Sequence, residues 1–306
     1  MGTPDFAVPS LSALLQAGEE VLAVYTQPDR PKGRGQKPAY SPIKEKALFY
    51  NLPIFQPASF KETGALDQLA EHHADLLIVV AYGLILPPTV LDLPSWGAIN
   101  LHGSLLPKYR GAAPIQWAVI NGEKETGLTT MRLDPGMDTG DMLLQEREVI
   151  LETDTARSLH DRLAEKGGRL LLQTLQHLRQ GTLHPVPQDH ALATYAPPLK
   201  KEQGEISWDL SAREIDCRVR GLTPWPRAFT FLKGKRLILH QAVPEAAEIK
   251  GPPGMIYSLD KGLIRVHTGQ GLLTLAEVQL EGHKRISAGD LVRGISLQVG
   301  ERLGRP

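Results

Sequence analysis

The spacing of apolar residues changes once along this chain, at a proline-rich stretch that ends near residue 200. Before it, segments with helical spacing, such as residues 6–17, alternate with short unbroken apolar runs, such as residues 75–81. Unbroken runs are typical of strands buried on both faces, and parallel strands are joined by crossover helices. The first part of the chain is therefore predicted to be an α/β domain with a doubly wound, Rossmann-like sheet.

After the prolines, short strands are predicted, separated by glycine-rich turns. One helix at residues 211–221 precedes them, and the strands cover residues 228–232, 236–241, 254–258, 263–268 and 272–278. This pattern favours a small OB-like β-barrel. The expected organisation is a first domain at residues 1–181, a linker at 182–200 and a second domain at 201–306.

Composition excludes several classes of protein. The chain is 42% hydrophobic and 22% charged, as in an ordinary globular protein. No apolar run reaches the roughly 18 residues of a membrane span. The first residues lack a basic segment followed by an apolar one, so no secretory signal is predicted and a cytoplasmic location is expected. Cys217 is the only cysteine, which excludes an internal disulfide, and it is expected to be buried.

The net charge of zero conceals a difference between the two halves. Residues 1–199 contain 17 Lys and Arg against 22 Asp and Glu, a balance of −5, whereas residues 200–306 contain 17 against 12, a balance of +5. The basic half is the better candidate for binding a polyanion such as RNA. A difference of this size also fits an ordinary solvated surface.

Asn100 and His102 lie at the end of a strand predicted at residues 97–101. In an open α/β sheet, ligands bind outside the carboxyl ends of the strands. Strand alternation points both side chains to the same side, so an amide and an imidazole become neighbouring donors. Two such donors suit an oxyanion that develops on a carbonyl oxygen, although the same pair at a strand end is also commonly structural.

The loop after the next predicted strand contains three carboxylates and two glycines in eight residues, DPGMDTGD at 134–141. Such a loop can be a turn, a metal site or the source of a positioned carboxylate. The close oxygen-ligand spacing of a calcium loop is absent. A carboxylate beside His102 would instead favour the protonated imidazole and fix its orientation.

These residues belong to a longer series of motifs. The sequence resembles the methionyl-tRNA formyltransferase family in segments that span nearly the whole chain: GTPDF at 2–6, AYGLILP at 81–87, NLHGSLLP at 100–107, RGAAP at 110–114, the loop at 134–141 and PWP at 224–226. The resemblance implies 10-formyltetrahydrofolate as the formyl donor and the amino group of initiator methionyl-tRNA as the acceptor, in the initiation of protein synthesis. It implies no metal, no membrane and no obligate protein partner.

The resemblance also assigns residues. It matches Asn100, His102 and Asp138 to the catalytic trio of the family, and it makes the second domain a tRNA-binding domain. It places the folate against the segment after one strand and the turn after the next, at Tyr82, Leu84, Ile85, Leu86, Ser104, Leu105, Leu106 and Pro107. Apolar walls with backbone donors and acceptors suit a flat pterin ring.

A basic loop favours tRNA as the acceptor. It follows a strand and carries four cations among glycines and prolines, at Arg30, Lys32, Arg34 and Lys37. Such a loop suits phosphate and base contacts near an acceptor stem, although it also fits a solvated flexible segment.

The catalytic trio indicates the type of reaction but does not identify the acceptor. The same trio is found in sugar-nucleotide formyltransferases, in the shorter glycinamide ribonucleotide enzyme and in the hydrolase part of the longer formyltetrahydrofolate dehydrogenase. A formyltransferase that acts on an aminosugar nucleotide is the main alternative. An RNA-binding protein built on an inactive enzyme fold is disfavoured by the intact trio.

The start of the chain departs from the family pattern. Relatives have an apolar strand ahead of the turn at residues 2–4, whereas this sequence begins at the turn. That strand lies in mid-sheet, so its absence is expected to leave an apolar groove bordered by unpaired backbone groups. The hypothesis is that the start is truncated or mis-assigned.

Overall fold

The computed structural model describes residues 1–32, 37–61, 63–248, 251–260 and 262–305. The chain divides into two compact units. The first comprises Met1–Pro114, Thr126–Val149 and His160–Ala196, and the second comprises Ile115–Glu125, Ile150–Leu159 and Pro197–Pro306. The domain limits drawn from the sequence stay a prediction.

Helices and strands alternate through the first 180 residues. The helices are α1 (Val8–Gln16), α2 (Pro42–Phe49), α3 (Thr63–Ala70), α4 (Pro88–Leu91), α5 (Pro114–Ile120) and α6 (Ala156–Arg179). The strands are β1 (Val24–Tyr25), β2 (Arg30–Lys32), β3 (Lys37–Ala39), β4 (Ile54–Phe55), β5 (Leu77–Val79), β6 (Ala98–His102), β7 (Glu125–Arg132) and β8 (Met142–Val149).

Local signals explain where the helices begin and end. Ser41 caps α2, because its hydroxyl accepts from the Lys44 N–H at 3.2 Å, and Pro42 occupies the first turn, where no intrahelical N–H is needed. Helix α1 ends before Gly18, which has a φ of +78° and so adopts the left-handed conformation that glycine favours.

The main sheet of the first unit has the strand order β5-β6-β7-β8. Strands β5 and β6 are parallel, with Val79 opposite Asn100, but β7 runs antiparallel to β6. The sheet of this α/β domain is therefore mixed, with a parallel pair beside an antiparallel one. A run of apolar residues has the same pattern whichever way the strand runs. The hydrophobic pattern that predicted β7 therefore does not show whether it is parallel or antiparallel to its neighbour.

A cavity of about 450 Å³ lies between β1 and β5. Buried apolar side chains such as Leu11, Val24 and Leu77 line it, together with the charged Glu19 and Arg179. In the described part of the chain these two strands belong to separate sheets. The first residues bridge them, because the Gly2 N–H donates to the Tyr25 carbonyl at 2.9 Å and Gly2 pairs with Val80.

The second unit contains an antiparallel sheet. Its strands are β9 (Phe229–Leu232), β10 (Lys235–Glu245), β11 (Ile256–Ser258), β12 (Ile264–His267), β13 (Leu272–Leu280) and β14 (Ile286–Ser287), with helices α7 (Ala212–Gly221) and α8 (Ala288–Gly294). The strand order is β11-β12-β13-β10-β9, and β14 pairs with β13. The pairings among the described strands do not close the sheet into a ring. The predicted barrel therefore has the form of a curled, open sheet.

The core of this sheet is built from one face of each strand and from α7. Leu237, Leu239, Val266, Leu275 and Val278 are all at most 1% exposed. Helix α7 begins with a capping box, in which the Ser211 hydroxyl accepts from the Glu214 N–H and the Glu214 carboxylate accepts from the Ser211 N–H. Among the described residues, none of the helices is long and apolar enough to cross a membrane.

Candidate active site

The carboxyl ends of β5 and β6 form the edge at which the candidate residues gather. Because the two strands are parallel and Val79 lies opposite Asn100, the segments that follow them leave the sheet on the same side. Asn100 and His102 are two residues apart on β6 and share one face of the sheet. Both are nearly buried, at 8% and 6% exposure.

Both ring nitrogens of His102 face acceptor groups. Nε2 lies 2.9 Å from the carbonyl oxygen of Tyr109, which can only accept, so Nε2 carries a proton and donates. Nδ1 lies 3.6 Å from Oδ2 of Asp138. The ring is therefore held between two acceptor groups, with its Nε2–H directed at the Tyr109 carbonyl.

Asp138 is held in an unusual backbone conformation within the loop at 134–141. Its φ is +53°, a left-handed value that costs a residue other than glycine about 1 kcal/mol or more. The carboxylate Oδ2 accepts from the Gly111 N–H at 2.7 Å, on the same oxygen that faces His102. The loop thus presents one carboxylate oxygen to the ring.

The rest of the loop is closed by its own side chains. The carboxylate of Asp134 accepts from the Gly136 N–H at 3.1 Å and from the Thr139 hydroxyl at 2.7 Å. A Cβ on Gly140 would lie 1.9 Å from the carbonyl oxygen of Arg132, so the backbone passes too close there for any side chain. Asp134 shapes the loop, whereas Asp138 faces the imidazole.

Asn100 differs from His102 in its hydrogen bonding. Its side-chain amide has no hydrogen-bond partner among the described residues, although the residue is 8% exposed. Its amide atoms are not among the fully buried ones that lack a partner, so they reach solvent. Asn100 therefore offers an N–H donor on the strand face that also carries His102.

The turn at 104–107 is fixed by the neighbouring strands. The Thr129 hydroxyl on β7 donates to the Ser104 carbonyl at 2.7 Å and accepts from the Leu106 N–H at 3.1 Å. Gln145 on β8 donates from Nε2 to the Leu106 carbonyl at 2.9 Å. Ser104 and Leu106 are buried, while Leu105 and Pro107 are partly exposed. The turn is a rigid wall at the end of β6.

The segment after β5 divides into buried and exposed residues. Tyr82 and Leu86 are 1% and 7% exposed and pack in the core, and burial raises the pKa of the Tyr82 hydroxyl. Ile85 is 89% exposed and Leu84 is partly exposed. A large apolar side chain so fully exposed at the edge that carries Asn100 suits contact with a flat ligand.

The basic loop forms a hairpin in which Arg30 pairs with Ala39 and Lys32 pairs with Lys37. Arg34 lies outside the described residues. At the base of the hairpin, the Asp29 carboxylate accepts from the Lys44 ammonium at 2.5 Å and from the Gln56 amide at 2.9 Å. These hydrogen bonds, chiefly the one from Lys44, lower the pKa of Asp29. They anchor the start of the hairpin.

Sequence reasoning missed the side chains that support the trio. Arg110, which is 2% exposed, donates to Oε1 of Gln188 from Nε at 3.0 Å and from Nη2 at 2.7 Å. Gln188 in turn donates to two carbonyl groups of the loop, those of Asp138 and Gly140. A single glutamine in a proline-rich stretch carries no pattern that predicts such a role. Within the described residues no cluster suited to a metal ion is present.

Comparison with known proteins identifies the family. The formyl transferase family model matches residues 1–175, and the model of the formyl transferase C-terminal domain matches residues 198–296. The methionyl-tRNA formyltransferase of Pelotomaculum thermopropionicum is 52% identical, over 99% of this chain and 97% of that protein. That of Geobacter metallireducens is 50% identical, also over 99% of this chain and 97% of that protein.

A solved structure has the same fold at much lower identity. An N-formyltransferase from Helicobacter canadensis in complex with folinic acid and dTDP-3-aminofucose superposes with a TM-score of 0.67 and 18% identity, over 91% of this chain and 97% of that one. The two family models and this shared fold together confirm the predicted formyl transferase fold. By its family models and its full-length relatives, the chain belongs to the methionyl-tRNA formyltransferase family.

Proposed function

We propose that this protein transfers the formyl group of 10-formyltetrahydrofolate to the amino group of initiator methionyl-tRNA, with Asn100, His102 and Asp138 as its catalytic residues. The observation that carries the proposal is the placement of Asp138 beside His102, at 3.6 Å, with an unpartnered Asn100 amide on the same strand face. Full-length relatives at 52% and 50% identity bear the corresponding name, which supports tRNA as the acceptor.

Asn100 and His102 stabilise the transition state. When the methionine amine attacks the formyl carbon, the carbonyl oxygen gains negative charge. The Asn100 amide donates a hydrogen bond to that oxygen, and the imidazolium of His102 adds a positive charge beside it. Donors held in place before the reaction cost no reorganisation when the charge develops, so they favour the transition state over the bound substrate.

Asp138 has two roles in this scheme. Its carboxylate stabilises the protonated form of His102, and it takes the proton that the attacking amine must lose, directly or through a water. The bond from the formyl carbon to N10 of the folate then breaks, and the proton passes to N10. The products are formylmethionyl-tRNA and tetrahydrofolate.

The folate is expected to lie against Leu84, Ile85, Leu105 and Pro107. These are the exposed or partly exposed apolar residues of the two segments that leave the sheet beside Asn100. The buried Tyr82, Leu86, Ser104 and Leu106 support those segments from within and offer backbone groups to the ligand. The residues present therefore fit a flat reduced folate.

The acceptor is tested by direct comparison. With 10-formyltetrahydrofolate as donor, we expect kcat/KM to be at least about a thousandfold higher for charged initiator methionyl-tRNA than for a dTDP-linked aminosugar. If tRNA is the acceptor, part of the binding energy comes from contacts with the tRNA that a sugar nucleotide cannot make. Formylation of the amine is followed with a radiolabelled formyl donor. A preference for the sugar nucleotide would replace this proposal with the aminosugar alternative.

The basic hairpin gives a second prediction for the tRNA reading. Replacing Arg34 with Ala is expected to lower kcat/KM for methionyl-tRNA about tenfold, since a lost phosphate or base contact typically costs 1–3 kcal/mol. Arg34→Lys should restore only part of the rate, because lysine lacks the planar fork of the guanidinium. Folate binding should stay unchanged in both variants.

The exposed Lys61 supplies a matched control, since Lys61→Ala removes a positive charge outside the hairpin. It should leave kcat/KM unchanged. If deletion of residues 30–37 left transfer to tRNA unaffected, the hairpin would have no part in acceptor binding.

A further inference from the structure

The left-handed conformation of Asp138 requires support from outside its own loop. The side-chain bonds of Asp134 close the loop internally, but they do not reach the backbone of Asp138. A residue in a strained conformation keeps it only where its surroundings hold it. The support is found in the stretch at 182–200, which the sequence presents as a linker.

Gln188 bridges that stretch to the loop. Its Nε2 donates to the carbonyl of Asp138 at 2.9 Å and to the carbonyl of Gly140 at 2.7 Å. Both N–H groups of the amide thus donate to the two backbone carbonyls on either side of residue 139. Gln188 is 6% exposed, so water competes little for these bonds.

Arg110 determines which way the Gln188 amide faces. Its Nε and Nη2 both donate to Oε1 of Gln188, at 3.0 and 2.7 Å. A guanidinium can only donate, so the amide oxygen must face Arg110 and the amide nitrogen must face the loop. The third nitrogen, Nη1, lies 3.2 Å from Nδ1 of His190, which also accepts.

The chain around these residues is itself anchored. Val186, two residues before Gln188, pairs with Met142 at the start of β8 through two backbone hydrogen bonds, of 2.8 and 2.9 Å. The residue after Arg110 is Gly111, whose N–H donates to the Asp138 carboxylate at 2.7 Å. Asp138 is therefore held by two hydrogen bonds: its backbone carbonyl accepts from Gln188, and its carboxylate accepts from the Gly111 N–H.

We propose that Gln188 and Arg110 are positioning residues for the reaction, which hold the carboxylate of Asp138 against His102. This inference rests on the proposed function. Neither residue touches the reacting atoms, and both act through Asp138. A shift of Asp138 would weaken the stabilisation of the His102 charge and displace the group that takes the proton.

Two variants at residue 188 test the proposal. Gln188→Met keeps the length of the side chain but loses the donors and the acceptor, and Gln188→Glu keeps an acceptor for Arg110 while losing the donors to the loop. We expect kcat to fall about tenfold or more in both, with KM for folate and for methionyl-tRNA changed less than about twofold, because the lost contacts act on the transition state. Gln188→Glu leaves the buried guanidinium paired, so it remains informative if Gln188→Met does not fold.

A double-mutant cycle separates positioning from general destabilisation. In the background of Asp138→Asn, the same changes at Gln188 should cost less than about threefold in the single-turnover rate, since the group they position is already inactive. Gln176→Met, at an exposed glutamine of α6, is the matched control and should leave all rates unchanged.

The outcomes are distinct. An undiminished kcat in a folded Gln188→Glu protein, or an equal loss in both backgrounds, would overturn the positioning role while leaving the proposed function intact. If the wild-type protein did not formylate methionyl-tRNA at all, the proposed function would be wrong, and this inference with it. A loss seen only when Asp138 is present supports the inference.

Discussion

Replacing Asp138 with Asn is expected to lower kcat by about a hundredfold or more, because a positioned acid or base contributes typically 10²–10⁴-fold. The amide keeps the shape of the side chain and can still accept from the Gly111 N–H. It removes the negative charge that faces Nδ1 of His102 and cannot take the proton from the amine. KM for the folate should change little, since the contact matters mainly in the transition state. Steady-state formylation of charged tRNA measures both constants.

The same prediction extends to His102. His102→Ala should lose at least as much activity as Asp138→Asn, and the double variant should lose little more than either single variant, because residues that act as a unit are not additive. Asp92→Asn removes an exposed carboxylate elsewhere in the same unit and serves as the control. An increase in KM alone, without a loss in kcat, would contradict a catalytic role for the pair.

Asn100→Ala is expected to lower kcat by about 10²–10³-fold, the usual cost of removing one oxyanion donor. Near the end of β6, the Asn100 amide makes no hydrogen bond to a described residue. Both nitrogens of His102, in contrast, already face acceptors. The loss should therefore be independent of pH wherever the wild type is active. Rates at several pH values with saturating folate measure it.

Asn121→Ala is the matched control, since Asn121 is exposed and lies at the end of α5. It should retain the wild-type rate. If Asn100→Ala kept more than about a third of the wild-type kcat, the direct hydrogen bond to the oxyanion would have to come from another group.

Much of the fold follows from hydrophobic periodicity. The helix predicted at residues 211–221 corresponds to α7, Ala212–Gly221, and the strand predicted at 272–278 is contained in β13, Leu272–Leu280. Both have strong periodic patterns bounded by turn residues, which makes them easy to recognise. The same reasoning placed Asn100 and His102 at a strand end.

Features without a periodic pattern were missed. Strand β8, Met142–Val149, has no counterpart among the predicted strands, because polar residues occupy most of its second half. From Leu144 onward its side chains alternate between partial and full exposure. It borders the main sheet, where one face meets solvent and a continuous apolar run is not required.

The supporting contacts of the site were missed for a different reason. Gln188 contacts Asp138, which is 50 residues away in the sequence, and Arg110, which is 78 residues away. Such contacts depend on how loops are packed in three dimensions, and a lone glutamine or arginine carries no local signal of them. The geometry of His102 is similar, since its bond to the Tyr109 carbonyl depends on the left-handed turn at that residue, where φ is +60°.

Formyl transfer to charged initiator tRNA through Asp138 can be measured directly. The decisive measurement is a single-turnover reaction, with enzyme in excess over methionyl-tRNA and saturating 10-formyltetrahydrofolate, run with the wild type and with Asp138→Asn. We predict that the wild type converts all of the charged tRNA to formylmethionyl-tRNA and that the variant does so about a hundredfold more slowly or worse. A wild-type protein that leaves methionyl-tRNA unformylated, or an Asp138→Asn variant that matches the wild-type rate, would contradict this role of Asp138.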